Sequence, residues 1–255
     1  MKYFVLSDVH SFYEQMMQAL TEKGFDINNK EHCVIICGDL FDRGPDAVKC
    51  FEFVKGLNDE GRLIYVCGNH EDLLFDCYNE IICGRGVSSH HTHNGTLDTV
   101  SQFTGLSGYD LTFLDVERRR EVVAIMRPIL DFINNECVNY AEIGEYIFVH
   151  GWVPAYQHID DFRDGSDEDW EQARWENGMD MWRNKKCRVP NYTVVCGHWH
   201  CSWGHSHIRQ THKEFPQKNQ KNWRDSFQPF IDDGIIAIDS CVAYTEFCNC
   251  IVIEL

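Results

Sequence analysis

The chain has 255 residues, 44% of them hydrophobic and 13% aromatic, so it has the material for a sizeable packed core and is not a disordered segment. Forty acidic residues against 23 basic ones give a formal charge of −17, which argues against stable partnership with nucleic acid or an anionic membrane unless a local field reverses it. No apolar run is long enough to span a bilayer, and thirteen cysteines, an odd count in a long chain, read as free thiols of a reducing, cytoplasmic compartment.

The opening Met1-Lys2-Tyr3-Phe4-Val5-Leu6 meets Ser7-Asp8 too soon for a secretory leader, and residues 2–6 read as a strand. Residues 11–23 place Phe12, Met16, Met17 and Leu20 at helical spacing, with Gly24 as the stop. Residues 32–37 form an apolar run of strand length, followed by Gly-Asp-Leu-Phe-Asp-Arg-Gly-Pro and a helix over 46–58. The pattern repeats at 62–67, with Gly68-Asn69-His70-Glu71 and a helix to 82 behind it. This rhythm predicts parallel βαβ units, whose functional groups gather at the carboxyl ends of the strands. Residues 84–108 are polar and read as a long insertion, either a loop with an Asn94-Gly95 turn and Thr96 or Asp98 opening a helix, or a lid over the site. Helices are expected over 111–127 and 128–135, joined at Pro128. Short strands follow at 137–143, 146–149, 192–196, 235–238 and 247–253, separated by tryptophan-rich irregular stretches at 152–188 and 201–230. One α/β domain over 1–255 with two packed sheets fits this order.

Five segments bring metal-ligand residue types to strand ends: Asp8-Val9-His10, Asp39 with Asp42-Arg43, Asn69-His70-Glu71, His150-Gly151, and Gly197-His198-Trp199-His200. Each alone reads as a turn, a helix cap (Asn69) or a satisfied core histidine. Together, in this order and placement, they form a constellation.

In these segments the sequence resembles the calcineurin-like metallophosphoesterases, in the branch of the serine/threonine phosphoprotein phosphatases and symmetrical dinucleoside tetraphosphatases. The family pattern of Asp-x-His, Gly-Asp-x-x-Asp-Arg-Gly, Gly-Asn-His-Glu, His-Gly and Gly-His is met by Asp8-Val9-His10, by residues 38–44, by residues 68–71, by His150-Gly151 and by Gly197-His198. The resemblance implies a four-layer α/β/β/α sandwich of two mixed sheets flanked by helices, with a two-metal site at one edge. It implies two divalent cations roughly 3.5–4 Å apart and in-line attack by a hydroxide that bridges them. Asp8 and His10 would hold the first ion, Asp39 both, and Asn69, His150 and His198 the second. Such oxygen and nitrogen donors suit Mn²⁺ first, with Fe or Zn²⁺ as alternatives. His70 would be the general acid, oriented by Asp42, and Arg43 would bind phosphate oxygens. Two cations would also make a net-acidic protein locally positive.

The resemblance implies a phosphatase of protein serine/threonine type, with a diadenosine tetraphosphate hydrolase as the alternative and a non-catalytic binding module as the remote one. The substrate would be a phosphorylated small molecule, a nucleotide or a phosphoprotein. Ser11 stands where the family usually has glycine. A second phosphate-gripping arginine would be Arg174 or Arg183. If residues 198–200 are extended, His198 and His200 point the same way, and His200 would reach the first ion; in a turn it would face solvent beside His205 and His207. The crowding of Cys196, His198, His200, Cys201, His205 and His207 also fits a zinc module. His90, His91 and His93 fall in the insertion. Tryptophans 152, 170, 175, 182, 199, 203 and 223 offer either core packing or a stacking surface for a nucleobase.

Overall fold

The computed structural model describes residues 1–84, 86–156 and 161–255. Arg85, inside the expected insertion, and residues 157–160, inside the first tryptophan-rich stretch, lie outside the described residues. In chain order the elements are β1 (Lys2–Leu6), α1 (Tyr13–Glu22), β2 (His32–Cys37), α2 (Ala47–Asp59), β3 (Leu63–Val66) and α3 (Asn69–Cys83). Four helices follow, α4 (Ser89–Asn94), α5 (Thr96–Thr104), α6 (Gly108–Thr112) and α7 (Val116–Glu136), then β4 (Cys137–Val138), β5 (Ala141–Ile143) and β6 (Tyr146–Phe148). The remainder comprises α8 (Asp167–Ala173), α9 (Gly178–Arg183), β7 (Thr193–Cys196), α10 (Cys201–Trp203), β8 (Phe230–Asp232), β9 (Ile235–Ala237), α11 (Val242–Thr245) and β10 (Ile251–Glu254).

The strands form two mixed sheets, ordered β10-β1-β2-β3-β4 and β5-β6-β7-β9-β8. Strands β1 to β4 run parallel, as do β6, β7 and β9, while β10, β5 and β8 are antiparallel. Both faces of the central strands are buried, which is why these runs are continuously apolar rather than alternating. On β1 and β2, Phe4, Leu6, Val34 and Ile36 face the helices with Leu74, Val100 and Met126. Val5, Ile35 and Cys37 face the other way and meet Phe148, Val195 and Ile238 of the second sheet. The outer side of that sheet packs Val149 and Val194 against Trp152, Trp170 and Met179. The result is a four-layer sandwich of helices, two sheets and helices. No helix among the described residues is long and apolar enough to cross a membrane.

Three expected elements differ. Pro128 does not split the long helix; α7 runs through it, because Val122, Met126, Ile129, Leu130 and Ile133 form one buried stripe that continues past the proline. The single strand expected over 137–143 is two, β4 in the first sheet and β5 in the second, since the chain changes sheets at Asn139-Tyr140. In the polar stretch 84–108 the helix expected from Thr96 or Asp98 is present as α5, but α4 precedes it and Leu97 and Val100 of α5 lie inside the main core.

Candidate metal centre

The parallel register brings Leu6 beside Ile36 and Cys37 beside Val66, so the first three strands end level. Beyond their ends the first two loops stay zipped: Asp8, His10 and Ser11 donate their backbone N–H groups to the carbonyls of Gly38, Asp39 and Leu40. The second sheet joins them through its own strand ends. His198 N–H donates to Asp8 Oδ2 at 2.9 Å, and His150 Nδ1 donates to the Cys37 carbonyl at 2.8 Å. Gly197 permits this approach, because a Cβ there would sit 1.8 Å from Ser7 Oγ. Asp8, His10, Asp39, Asp42, Arg43 and His198 all have positive φ, between 49° and 75°. Such strain costs on the order of 1–3 kcal/mol per residue and persists only where the surroundings hold it.

Asp39 is the centre of the arrangement. Its Oδ2 lies 3.7 Å from His10 Nε2 and 3.8 Å from His70 Nε2, and its Oδ1 lies 3.2 Å from His150 Nε2. Two donor groups, His10–Asp39–His70 and Asp39–His150–His198, each have ligand atoms within 4.8 Å of one another, and both contain Asp39. Asn69 Oδ1 is 2.9 Å from His150 Nε2. His10 and His150 each spend Nδ1–H on a backbone carbonyl, Phe41 at 2.9 Å and Cys37 at 2.8 Å, which turns Nε2 toward Asp39. The His198 ring also bonds to the Trp175 backbone.

The electrostatics fit a pair of divalent cations. Burial pushes Asp8 up to about 6 and Asp239 up to about 7, each further raised by a neighbouring carboxylate. Burial opposes a charged His150, yet the adjoining Asp39 carboxylate overrides it and lifts the ring to about 10. Burial would likewise raise Asp39, but His150 and His70 hold it well below the usual carboxylate range. Burial lowers His10 and brings His198 down to about 3, leaving neutral rings with lone pairs. Buried carboxylates, imidazoles and an amide oxygen, with no thiol among them, are the donor types that Mn²⁺, Fe or Zn²⁺ takes.

Beside these donors His70 Nδ1 sits 2.6 Å from Asp42 Oδ2, and His70 Nε2 sits 3.2 Å from Arg43 Nη2. Burial would lower His70, but Asp39 and Asp42 raise it overall. Asp42 is fixed by α5: Thr96 Oγ1 and Thr99 Oγ1 each donate to it at 2.7 Å. Glu71 is fully buried and accepts from Asp39 N, Leu40 N, Gly68 N and the Tyr65 hydroxyl at 2.7 to 3.0 Å. It thereby locks the Asp39 loop to the start of α3, which begins at Asn69 with Gly68 as its cap.

Asp8, His10, Asp39, Arg43, Asn69, His70, His198 and His200 line one cavity of about 140 Å³, with Asn94, Trp175, Asp239, Cys241, Val242 and Ala243 completing its wall. Asp42 and His150 stand immediately behind it. The two further arginines are elsewhere. Arg174 forks onto Asp72 at 2.6 Å and Asn139 at 2.7 Å, and Arg183 is exposed at the end of α9. Neither lines the cavity. The segment 198–200 is bent rather than extended, with His198 at φ 63° and Trp199 N–H on the Gly197 carbonyl. His200 reaches the cavity wall but directs Nδ1 to Ser202 Oγ at 2.8 Å and Nε2 to Glu214 at 3.5 Å, so the period-two argument does not apply. Cys196 and Cys201 are buried in the core, and neither metal-competent group among the described residues contains a thiol. Sequence reasoning missed Thr96, Thr99, Asn94 and Asp239; Asp239 alone carried a signal, since it follows a strand as Asp8 and Asp39 do.

The model for calcineurin-like phosphoesterases matches residues 1–221. The asymmetrical bis(5'-nucleosyl)-tetraphosphatase PrpE of Bacillus velezensis is 26% identical over 61% of this chain and 58% of its own length. The symmetrical bis(5'-nucleosyl)-tetraphosphatase of Proteus mirabilis is 35% identical over 31% of this chain and 27% of its own. The alignments therefore span little more than half of these curated relatives at most. The crystal structure of a cold-active protein-tyrosine phosphatase from a psychrophilic Shewanella superimposes over 99% of this chain and 75% of that one, with a TM-score of 0.51 at 14% identity, a likeness of fold. With its Asp-x-His, Gly-Asp-x-x-Asp-Arg-Gly and Gly-Asn-His-Glu loops gathered around Asp39, the chain belongs to the calcineurin-like phosphoesterase family.

Proposed function

We propose that this protein is a hydrolase of phosphoric esters or anhydrides that works with two divalent cations, manganese first among them. The observation that carries the reading is the position of Asp39, shared by two donor groups. Asp8 and His10 with Asp39 would hold one ion; Asp39, Asn69, His150 and His198 would hold the other. When bound, such a pair supplies Lewis-acid polarisation of the phosphoryl group and makes water nucleophilic near neutral pH.

The remaining work falls to side chains. His70, charged more readily because Asp39 and Asp42 stand beside it, donates a proton to the leaving oxygen. Arg43 presents its guanidinium at the cavity and holds non-bridging phosphate oxygens. Asp42 keeps the His70 ring in place and is itself held by Thr96 and Thr99. The names of the curated relatives favour a dinucleoside polyphosphate as substrate, with a phosphoprotein as the second reading. The thirteen cysteines, all free, support a reducing compartment. The test is a panel of diadenosine tetraphosphate, a phosphoserine peptide and p-nitrophenyl phosphate with Mn²⁺ added. Mn²⁺-dependent turnover of at least one supports the reading, and no turnover of any refutes it.

A further inference from the structure

Among the described residues the exposed large aromatics are few. Tyr109 and Phe113 pack on each other at 5.0 Å on α6. Of the others, Trp175 (47% exposed) lines the cavity, and Trp199 (36%) and Phe215 (51%) stand against two histidines of its wall. The His198 ring stands edge-on to both indoles, with centroids 5.8 Å from Trp175 and 6.4 Å from Trp199. Phe215 stands edge-on to His200 at 4.6 Å. Hydrophobic rings left open to water in one place mark a binding surface rather than a defect of packing.

The rim is held firmly. Trp175 lies on the turn after α8, whose carbonyls from Ala173, Arg174 and Glu176 close onto Gly151; a Cβ on Gly151 would meet them at 2.5 to 2.8 Å. Trp199 rests against Trp203 at 6.4 Å, and Trp203 in turn stacks on His207 at 5.0 Å. Phe215 is backed by Phe227 and Tyr244 at 6.0 and 5.6 Å. Rings so braced present their faces at little further entropic cost. The charge around them is equally telling. Arg43 is the sole Lys or Arg among the described residues lining the cavity, and Arg174, next to Trp175, is turned away onto Asp72. The cavity therefore offers a single cationic side chain for phosphate, and the open rings beside it suit a flat group.

We propose that Trp175 and Trp199, with Phe215 at their side, form a stacking platform for the nucleobase of a nucleotide substrate whose phosphate lies at the metal centre. Every base has a π-face, so indole stacking selects nucleotides over bare phosphates without choosing strongly among bases. This inference rests on the phosphoesterase reading and assigns its substrate class to particular side chains.

The test compares kcat/KM for diadenosine tetraphosphate with that for inorganic tripolyphosphate, an anhydride chain without a base, in Mn²⁺-loaded protein. Trp175→Ala and Trp199→Ala should each lower the nucleotide-to-tripolyphosphate ratio roughly tenfold, through KM rather than kcat, and Trp→Phe should restore most of it. A ratio that stays at the wild-type value in both alanine variants overturns the platform, as does a loss confined to turnover of a phosphoserine peptide. A second arm needs no turnover. Adenosine 5′-monophosphate should quench tryptophan emission of the Mn²⁺-loaded protein, ribose 5-phosphate should not, and the double alanine variant should lose the response. Absence of quenching refutes the platform even if the enzyme is active. Quenching without turnover of any substrate would leave the platform standing and sink the phosphoesterase reading.

Discussion

The candidate donors of the first sheet and those of the second share a placement and are held by partly different means. Asp8, Asp39, His150 and His198, with Asp239 of the cavity wall, each stand two residues past the last residue of a strand, at Leu6, Cys37, Phe148, Cys196 and Ala237, while His10 and Asn69 lie one or two positions further along. In the first sheet the loops are fixed by main-chain hydrogen bonds between neighbours and by the buried Glu71 carboxylate. The second has main-chain bonds of its own, Gly197 N–H to the His150 carbonyl and Cys201 N–H to the Asp239 carbonyl, and adds packing, with Gly151 against a turn of carbonyls and His198 and His200 set among aromatic rings. Parallel strand ends thus suffice to bring donors together, while what is added to the main-chain bonds follows the local sequence. The first half adds a buried carboxylate; the second adds aromatic packing.

The largest effect expected is on the first half's chemistry. His70→Asn should reduce the rate by roughly 10²–10⁴-fold while both ions stay bound. The loss should be smaller with an aryl leaving group such as p-nitrophenolate, which needs less protonation; equal losses with aryl and alkyl phosphates would assign His70 another role. Next comes Glu71→Gln, which turns an amide N–H₂ toward backbone donors. Leaving a buried donor unpaired costs roughly 1–3 kcal/mol, so the denaturant midpoint should fall well below wild type. A wild-type midpoint would remove the contrast between the halves. In the second half, Gly151→Ala should cost about 1–3 kcal/mol by overpacking and shift the emission of Trp175. If emission is unchanged, the turn after α8 is not braced as described. The smallest effect is Thr99→Val. Losing its bonds to Asp42 should cost about 1 kcal/mol and lower kcat a few-fold, with KM unaltered.

Much of this was legible in the sequence, and unevenly so. Strands at 2–6 and 32–37 were read to the residue, because a strand buried on both faces has no polar interruption before its end. The candidate donors stood out for the same reason: a charged or imidazole side chain directly after such a run has few other places to be. The helix opening at Thr96 was read as well, but its tie to the site was not, because Thr96 and Thr99 look like solvent-facing residues until Asp42, more than 50 positions away in the chain, supplies their partner. Pro128 misled for a related reason, since a local rule about the backbone yielded to a buried stripe spanning 122–133. His200 shows the limit of periodicity: residues 198–200 carry the expected donors, but a positive φ at His198 breaks the alternation on which their direction depended.

The central claim is that Asp39 serves two ions at once. Metal content by mass spectrometry, measured on protein loaded with Mn²⁺ and then desalted, tests it in the wild type and in Asp39→Asn, with circular dichroism to confirm folding. Two ions per chain in the wild type and a weakening of both in the folded variant is the result expected. A folded Asp39→Asn protein that retains two ions with unchanged affinity would contradict the claim, and retention of just one would assign Asp39 to a single site.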